Sequence, residues 1–130
     1  MKSLLPPGWP RPKGYSNGIA AHGRIIVTAG VVGWDEQERF TSDTLAGQFA
    51  QVLRNIVAIL ACDGAGPHNI VRLTCYVTSI EEYLAALPEI GAVWKDIIGR
   101  HYPAMALVEV VRLVEPTAKV EIEATAVVPE

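Results

Sequence analysis

The C-terminal stretch from His101 onward constrains the fold more than any other part of the chain. Ala104-Met-Ala-Leu-Val-Glu-Val-Val111 follows Pro103, and Lys119-Val-Glu-Ile-Glu-Ala-Thr-Ala-Val-Val128 runs up to Pro129. Both runs are rich in β-branched and apolar residues and bounded by proline, the composition of strands in a buried sheet. They are expected to lie side by side. Side chains two apart on a strand point the same way, so Glu121 and Glu123 share a face. A charge in an apolar strand is costly unless it is paired, hydrated or functional, which makes these carboxylates the first candidates for function.

Upstream, residues 1–14 contain four of the nine prolines and Trp9 and read as an irregular, extended arm. Short strands are expected at Gly18–Ala21 and, after the His22-Gly23 turn, at Arg24–Gly30. A loop with Trp34 and Asp35 and a polar stretch at 36–41 follow. Leu45, Phe49, Val52, Leu53, Ile56 and Leu60 form one stripe at three- and four-residue spacing, predicting a helix over about 44–62. Ser42 and Asp43 are suited to cap its start and Gly64 to end it. Residues 71–78 alternate as a strand, with Val71, Leu73, Cys75 and Val77 on one side. Ser79-Ile-Glu-Glu82 is a capping-box pattern opening a second helix that presents Tyr83, Leu87, Ile90, Trp94 and Ile97; Pro88 should kink it or shift its start. The order ββαβαββ, with an extra short strand allowed after Gly33, predicts an α+β two-layer sandwich: a mixed sheet with two helices on one face, in a single domain spanning 1–130.

Half of the 130 residues are hydrophobic and the mean hydropathy is positive. That is high for a small monomer, and a homo-oligomer hiding part of its surface would account for it. The net charge of −3 is dispersed, Arg11-Pro-Lys13 being the only local basic cluster, so a nucleic-acid groove is not expected. No apolar stretch approaches the roughly 20 residues that span a bilayer, and no signal-peptide apolar region follows Met1-Lys2. Cys62 and Cys75 lack CxxC spacing and read as buried, reduced thiols of a cytoplasmic protein. The three histidines are dispersed, so neither a metal site nor a cofactor is expected; G-x-S-x-G and phosphate-binding glycine motifs do not occur.

Several segments in this order carry a resemblance: Gly14-Tyr-Ser-Asn-Gly18, Val27-Thr-Ala-Gly30, Gln51-Val-Leu-Arg-Asn-Ile56, Ile70-Val-Arg-Leu-Thr74, Pro103-Ala104 and Val120-Glu-Ile-Glu-Ala-Thr-Ala126. Over about Gly14 to Val128 the chain resembles the RidA/YjgF (reactive-intermediate deaminase) family. The resemblance implies a chorismate-mutase-like fold assembled as a homotrimer with small-molecule clefts between subunits. In deaminating members an Arg directly after Pro-Ala grips the carboxylate of a 2-imino or 2-enamino acid, a bidentate role suited to Arg. A Glu on the final strand helps orient the attacking water. Tyr15 and Glu121 match these positions. Met105 stands where the Arg is usual and Leu107 where a Cys is common, while Ala29, Val31 and Leu87 replace a Ser, a Gln and an Asn. Five polar positions have thus become apolar together, removing the carboxylate anchor.

The function expected from these residues is hydrolysis of an imine, enamine or related electrophile without Arg–carboxylate recognition. Glu121 would serve as base or water-positioning group, desolvated beside Met105 and Leu107, and Tyr15 as hydrogen-bond donor. Trp34 would form a cleft wall or pack a subunit contact. His101 would act as an acid or base, or else be a solvated loop residue. Glu123 is expected to pair with Arg72 or Arg112. The alternative is a non-catalytic trimer binding an apolar or aromatic metabolite or a protein partner in the same clefts. Some relatives are described as endoribonucleases or translation inhibitors, but an acidic chain has few cations to meet phosphates.

Overall fold

A computed structural model describes residues 1–130. The sheet at its centre pairs Arg24–Val27, Val120–Val128, Ile70–Val77 and Ala104–Glu109 in that order, with the two-residue strand Val31–Val32 also on Val120–Val128. Its strands are β3 (Arg24–Val27), β4 (Val31–Val32), β5 (Ile70–Val77), β6 (Ala104–Glu109) and β7 (Val120–Val128); α1 is Leu45–Ala61, α2 Ile80–Ala85 and α3 Leu87–Ile97. Two further strands, β1 (Lys2–Leu4) and β2 (Gly18–Ala20), form a separate antiparallel pair, so the proline-rich arm is tied down by its first residues.

The helices cover one face of the sheet. Phe49, Leu53 and Ile56 from α1, Ile90 and Trp94 from α3, Leu73 and Cys75 from β5 and Ile122 and Ala124 from β7 make one continuous core. Thr44, rather than Ser42 or Asp43, caps α1: its Oγ1 accepts from Gly47 N at 3.1 Å, while Ser42 Oγ accepts from Thr44 N at 3.2 Å. Pro88 lies in the first turn of α3, and the expected second helix is two helices meeting at Ala86. The break follows from proline's missing N–H and fixed φ, which suit a helix start and not an interior.

Three expectations about strands change. The Arg24–Gly30 strand stops at Val27, and the chain rejoins the ladder as β4. At the interruption Thr28 Oγ1 accepts from Ala124 N at 3.0 Å, where a backbone carbonyl would otherwise serve. In β5 the ladder to β7 shifts register between Ile70 and Arg72, which turns both Ile70 and Leu73 toward the core and leaves Val71 only half-buried. The two C-terminal strands are not neighbours. β5 lies between them, parallel to β6 and antiparallel to β7. A parallel pair needs a crossover, which α2 and α3 supply; local composition carries no trace of that insertion. Cys75 is buried as expected, but Cys62 at the end of α1 is exposed.

Candidate functional site: two faces of one sheet

The residues singled out by sequence fall into two groups. The first surrounds a pocket of about 520 Å³ between β6 and the helices, within the roughly 300–1,000 Å³ usual for small-molecule sites. Met105 and Leu107 from β6, Leu87 from α3 and Tyr15, directly after the arm, all line it. Tyr15 is delivered by its neighbour: Ser16 bridges to Ala104, its N–H donates to Pro103 O at 3.1 Å and its hydroxyl to Tyr102 O. Sequence reasoning missed the aromatic part of this lining, Phe49, Tyr83, Trp94 and Tyr102. The sequence places Tyr83, Leu87, Ile90 and Trp94 on one helix face, and of these only Leu87 is expected at the cleft. The break at Ala86 leaves part of that face uncovered, and Leu87 is exposed.

Trp94 and Tyr102 stack with ring centroids 6.3 Å apart and planes 9° from parallel. His101 locks this corner: its carbonyl accepts from Trp94 Nε1 at 3.1 Å and its Nε2 donates to Ile70 O at 2.6 Å. The His101 ring therefore ties the loop before β6 to β5 and does not line the pocket. Burial raises the Tyr83 pKa, the nearby Cys75 thiol adding to the effect, so its phenol stays a donor.

The second group is on the opposite, helix-free face. Glu121 lies over Gly30, where a Cβ would overlap its carboxylate; glycine here makes room for the charged group. Glu123 accepts a hydrogen bond from Tyr76 Oη at 2.8 Å. That bond, followed by burial and the charges of Glu123 and Glu121, raises the Tyr76 pKa. The expected ion pair of Glu123 with Arg72 or Arg112 does not form, since the chain's three ion pairs are Arg24–Asp63, Arg39–Asp35 and Lys119–Glu82. Tyr76 is the partner because its side chain stands on the same face of β5, the strand paired to β7. Ala29 is exposed next to Gly30, whereas Val31 pairs with Ile122 and points into the core. Trp34 belongs to neither group. It packs on Phe40 at 5.9 Å, and its carbonyl accepts from Asn55 Nδ2 at 2.8 Å.

The register explains the separation. Leu73 is opposite both Met105 and Ala124, and Tyr76 is opposite Glu121. Met105 therefore shares a face with Ala124 and Ile122, not with Glu121. Within one chain Met105 and Leu107 do not desolvate Glu121, contrary to the expectation from sequence.

The fold and the two groups define a class: an α+β protein whose sheet carries a metabolite-sized apolar pocket on one face and a glycine-flanked carboxylate on the other. The family model described as endoribonuclease L-PSP matches residues 10–128, and the chain belongs to this family, which is the RidA/YjgF family. A RutC family protein of Synechocystis is 32% identical over 99% of this chain and 98% of its own length. A Salmonella typhimurium protein named 2-iminobutanoate/2-iminopropanoate deaminase is 29% identical over 81% of this chain and 80% of its own. Among solved structures, a Rid family protein of unknown function from Yersinia pestis superposes with a TM-score of 0.84 at 30% identity, covering 98% of each chain. The fold is thus the YjgF type. No helix is long and apolar enough to cross a membrane.

Proposed function

We propose that the protein is a cytoplasmic homotrimer whose intersubunit clefts hydrolyse an imine, enamine or related electrophile. Glu121 of one subunit faces the Tyr15, Met105 and Leu107 wall of the next. The observation that carries this reading is the placement of the matched residues on opposite faces of one sheet. A single chain presents them to different solvent regions; copies packed with the helix-free face of one against the β6 edge of the next, where the pocket opens, would bring them to one cleft. That face is suited to packing, with Ile25 and Val27 68% and 69% exposed and the small Ala104 and Ala106 on β6. The name of the Salmonella relative supports imine chemistry.

In such a cleft Glu121 accepts a proton from water as its oxygen bonds to the C=N carbon, and the nitrogen takes up a proton. Collapse of the adduct expels ammonia, and the second oxygen-bound proton leaves as C=O forms. One imine and one water yield one carbonyl compound and one ammonia, so no cofactor is needed. Tyr15 donates to the departing nitrogen.

Subunit mixing tests the arrangement. Trimers mixed from Glu121→Gln and Tyr15→Phe chains contain one cleft with both residues intact, so activity absent from either variant alone should return on mixing. Failure to return, or a light-scattering mass of one 14.0 kDa chain at micromolar concentration, removes the intersubunit site. The second reading, a trimer that only binds an apolar or aromatic metabolite, is favoured by the apolar pocket lining. It predicts ligand affinity with no turnover.

A further inference from the structure

We infer that the pocket under Tyr15 selects ligands with an aryl or large apolar group and a single anionic group, the anion held by Lys13 at the rim rather than by position 105. This deepens the proposed function, because it names the substrate class of the same cleft: an imine of an aromatic or bulky acid, larger than the three- and four-carbon imino acids.

The pocket wall combines three features. Nine of its twelve lining residues are hydrophobic, the others being Lys13, Gly14 and Gly91. The lining supplied by one chain therefore holds no carboxylate and one cation. Lys13 is exposed and takes part in none of the chain's three ion pairs, so its charge is available to a ligand. Met105 and Leu107, half-buried on β6, close the pocket with thioether and alkyl surface, and the stacked Trp94–Tyr102 pair offers a flat aromatic wall.

These positions are complementary to an amphipathic anion. A short imino acid placing its carboxylate at Lys13 leaves the apolar interior unfilled; one entering the interior buries its carboxylate against Met105 without a partner, which is costly. An aryl group on the same acid fills the interior while its carboxylate stays at the wet rim. Lys suits that role, since a flexible ammonium tolerates varied anion positions where Arg would demand one planar geometry.

Equilibrium binding of 3-phenylpropionate, its amide and propionate to the whole protein tests this, by calorimetry or Trp94-dependent fluorescence. The aryl acid should bind at least about tenfold more tightly than propionate, as expected from burying a phenyl ring. It should exceed the amide by about two- to fivefold, the range of a partly exposed ion pair. Lys13→Gln, on the exposed arm, should reduce the acid to the level of the amide and leave the amide unchanged. Propionate binding as tightly as 3-phenylpropionate, or an acid preference that survives Lys13→Gln, overturns the proposal. Binding is read without turnover, so the two readings fail separately. A protein that binds the aryl acid but hydrolyses no imine refutes the enzyme and keeps the pocket assignment. One that deaminates short imino acids and ignores 3-phenylpropionate does the reverse.

Discussion

Along β7, Ile122, Ala124 and Ala126 are sealed beneath the helices, while Glu121, Glu123 and Thr125, each one residue away, stand on the opposite face. The helix side is continuous apolar packing that opens at one end, over β6, into the pocket. The other side carries Arg72, Thr74 and Tyr76 beside the two glutamates and has no covering layer. The same strand therefore holds the fold together with one set of side chains and exposes ionisable groups with the other. The two glutamates also differ from one another. Glu123 is held by Tyr76, whereas the Glu121 carboxylate lies against Gly30.

Substitutions on this strand should separate the two roles. The largest effect is expected for Glu121→Gln, which keeps the shape and removes the proposed base. Turnover should fall by about 10²–10⁴ with little change in thermal midpoint. A variant that is markedly less stable but fully active would move Glu121 from the chemistry to the fold.

Ile122→Ala, one residue on, should do the opposite. Ile122 is fully buried, so losing its side chain should cost about 2–5 kcal/mol in denaturant unfolding, while any folded fraction keeps its specific activity. A loss below about 1 kcal/mol would mean that the helix side is less tightly packed than its burial indicates.

Met105→Arg tests the role of position 105 on the helix-side wall. An amino-acid-oxidase-coupled assay should show weak or absent activity of the wild type on 2-iminopropionate and 2-iminobutyrate. The variant should gain some carboxylate affinity, incompletely, because Leu107 and Ala29 remain apolar. Wild-type turnover of these substrates equal to that of an Arg-bearing relative would refute the role given to position 105.

The smallest effects concern titration. The Tyr76 pKa is raised chiefly by its bond to Glu123, so the folded state holds this proton more tightly than the unfolded state. The resulting stability is intact below the usual tyrosine pKa of 10.0 and declines as pH rises through the higher folded value. Tyr76→Phe should flatten that alkaline decline, and an unchanged slope would show that the bond does not matter. Burial pushes the Cys75 thiol from 9.0 up to about 12, so it too contributes stability below pH 9.0 that fades toward pH 12. A thiol reagent at pH 8 should accordingly modify exposed Cys62 first and Cys75 only on unfolding.

Much of this architecture was legible before any coordinates. Period-two alternation puts Glu121 and Glu123 on one face, the three-and-four spacing of Leu45 to Leu60 marks α1, and Ser79 with Glu82 opens α2. These are local relations, set by backbone geometry within one element; the YjgF-type fold was implied instead by the resemblance of the ordered segments to the Rid family. Relations between elements were not legible. That β5 separates β6 from β7, that Met105 and Glu121 consequently point to opposite sides, that Glu123 meets Tyr76 and not an arginine, and that Trp34 rests on Phe40 were decided only by the tertiary structure. Strand order and register arise from long-range hydrogen-bond ladders and from burial of the whole core, and a one-residue change of register reverses every face. The alternation of each strand was therefore readable alone, but which faces coincide depends on how the strands pair.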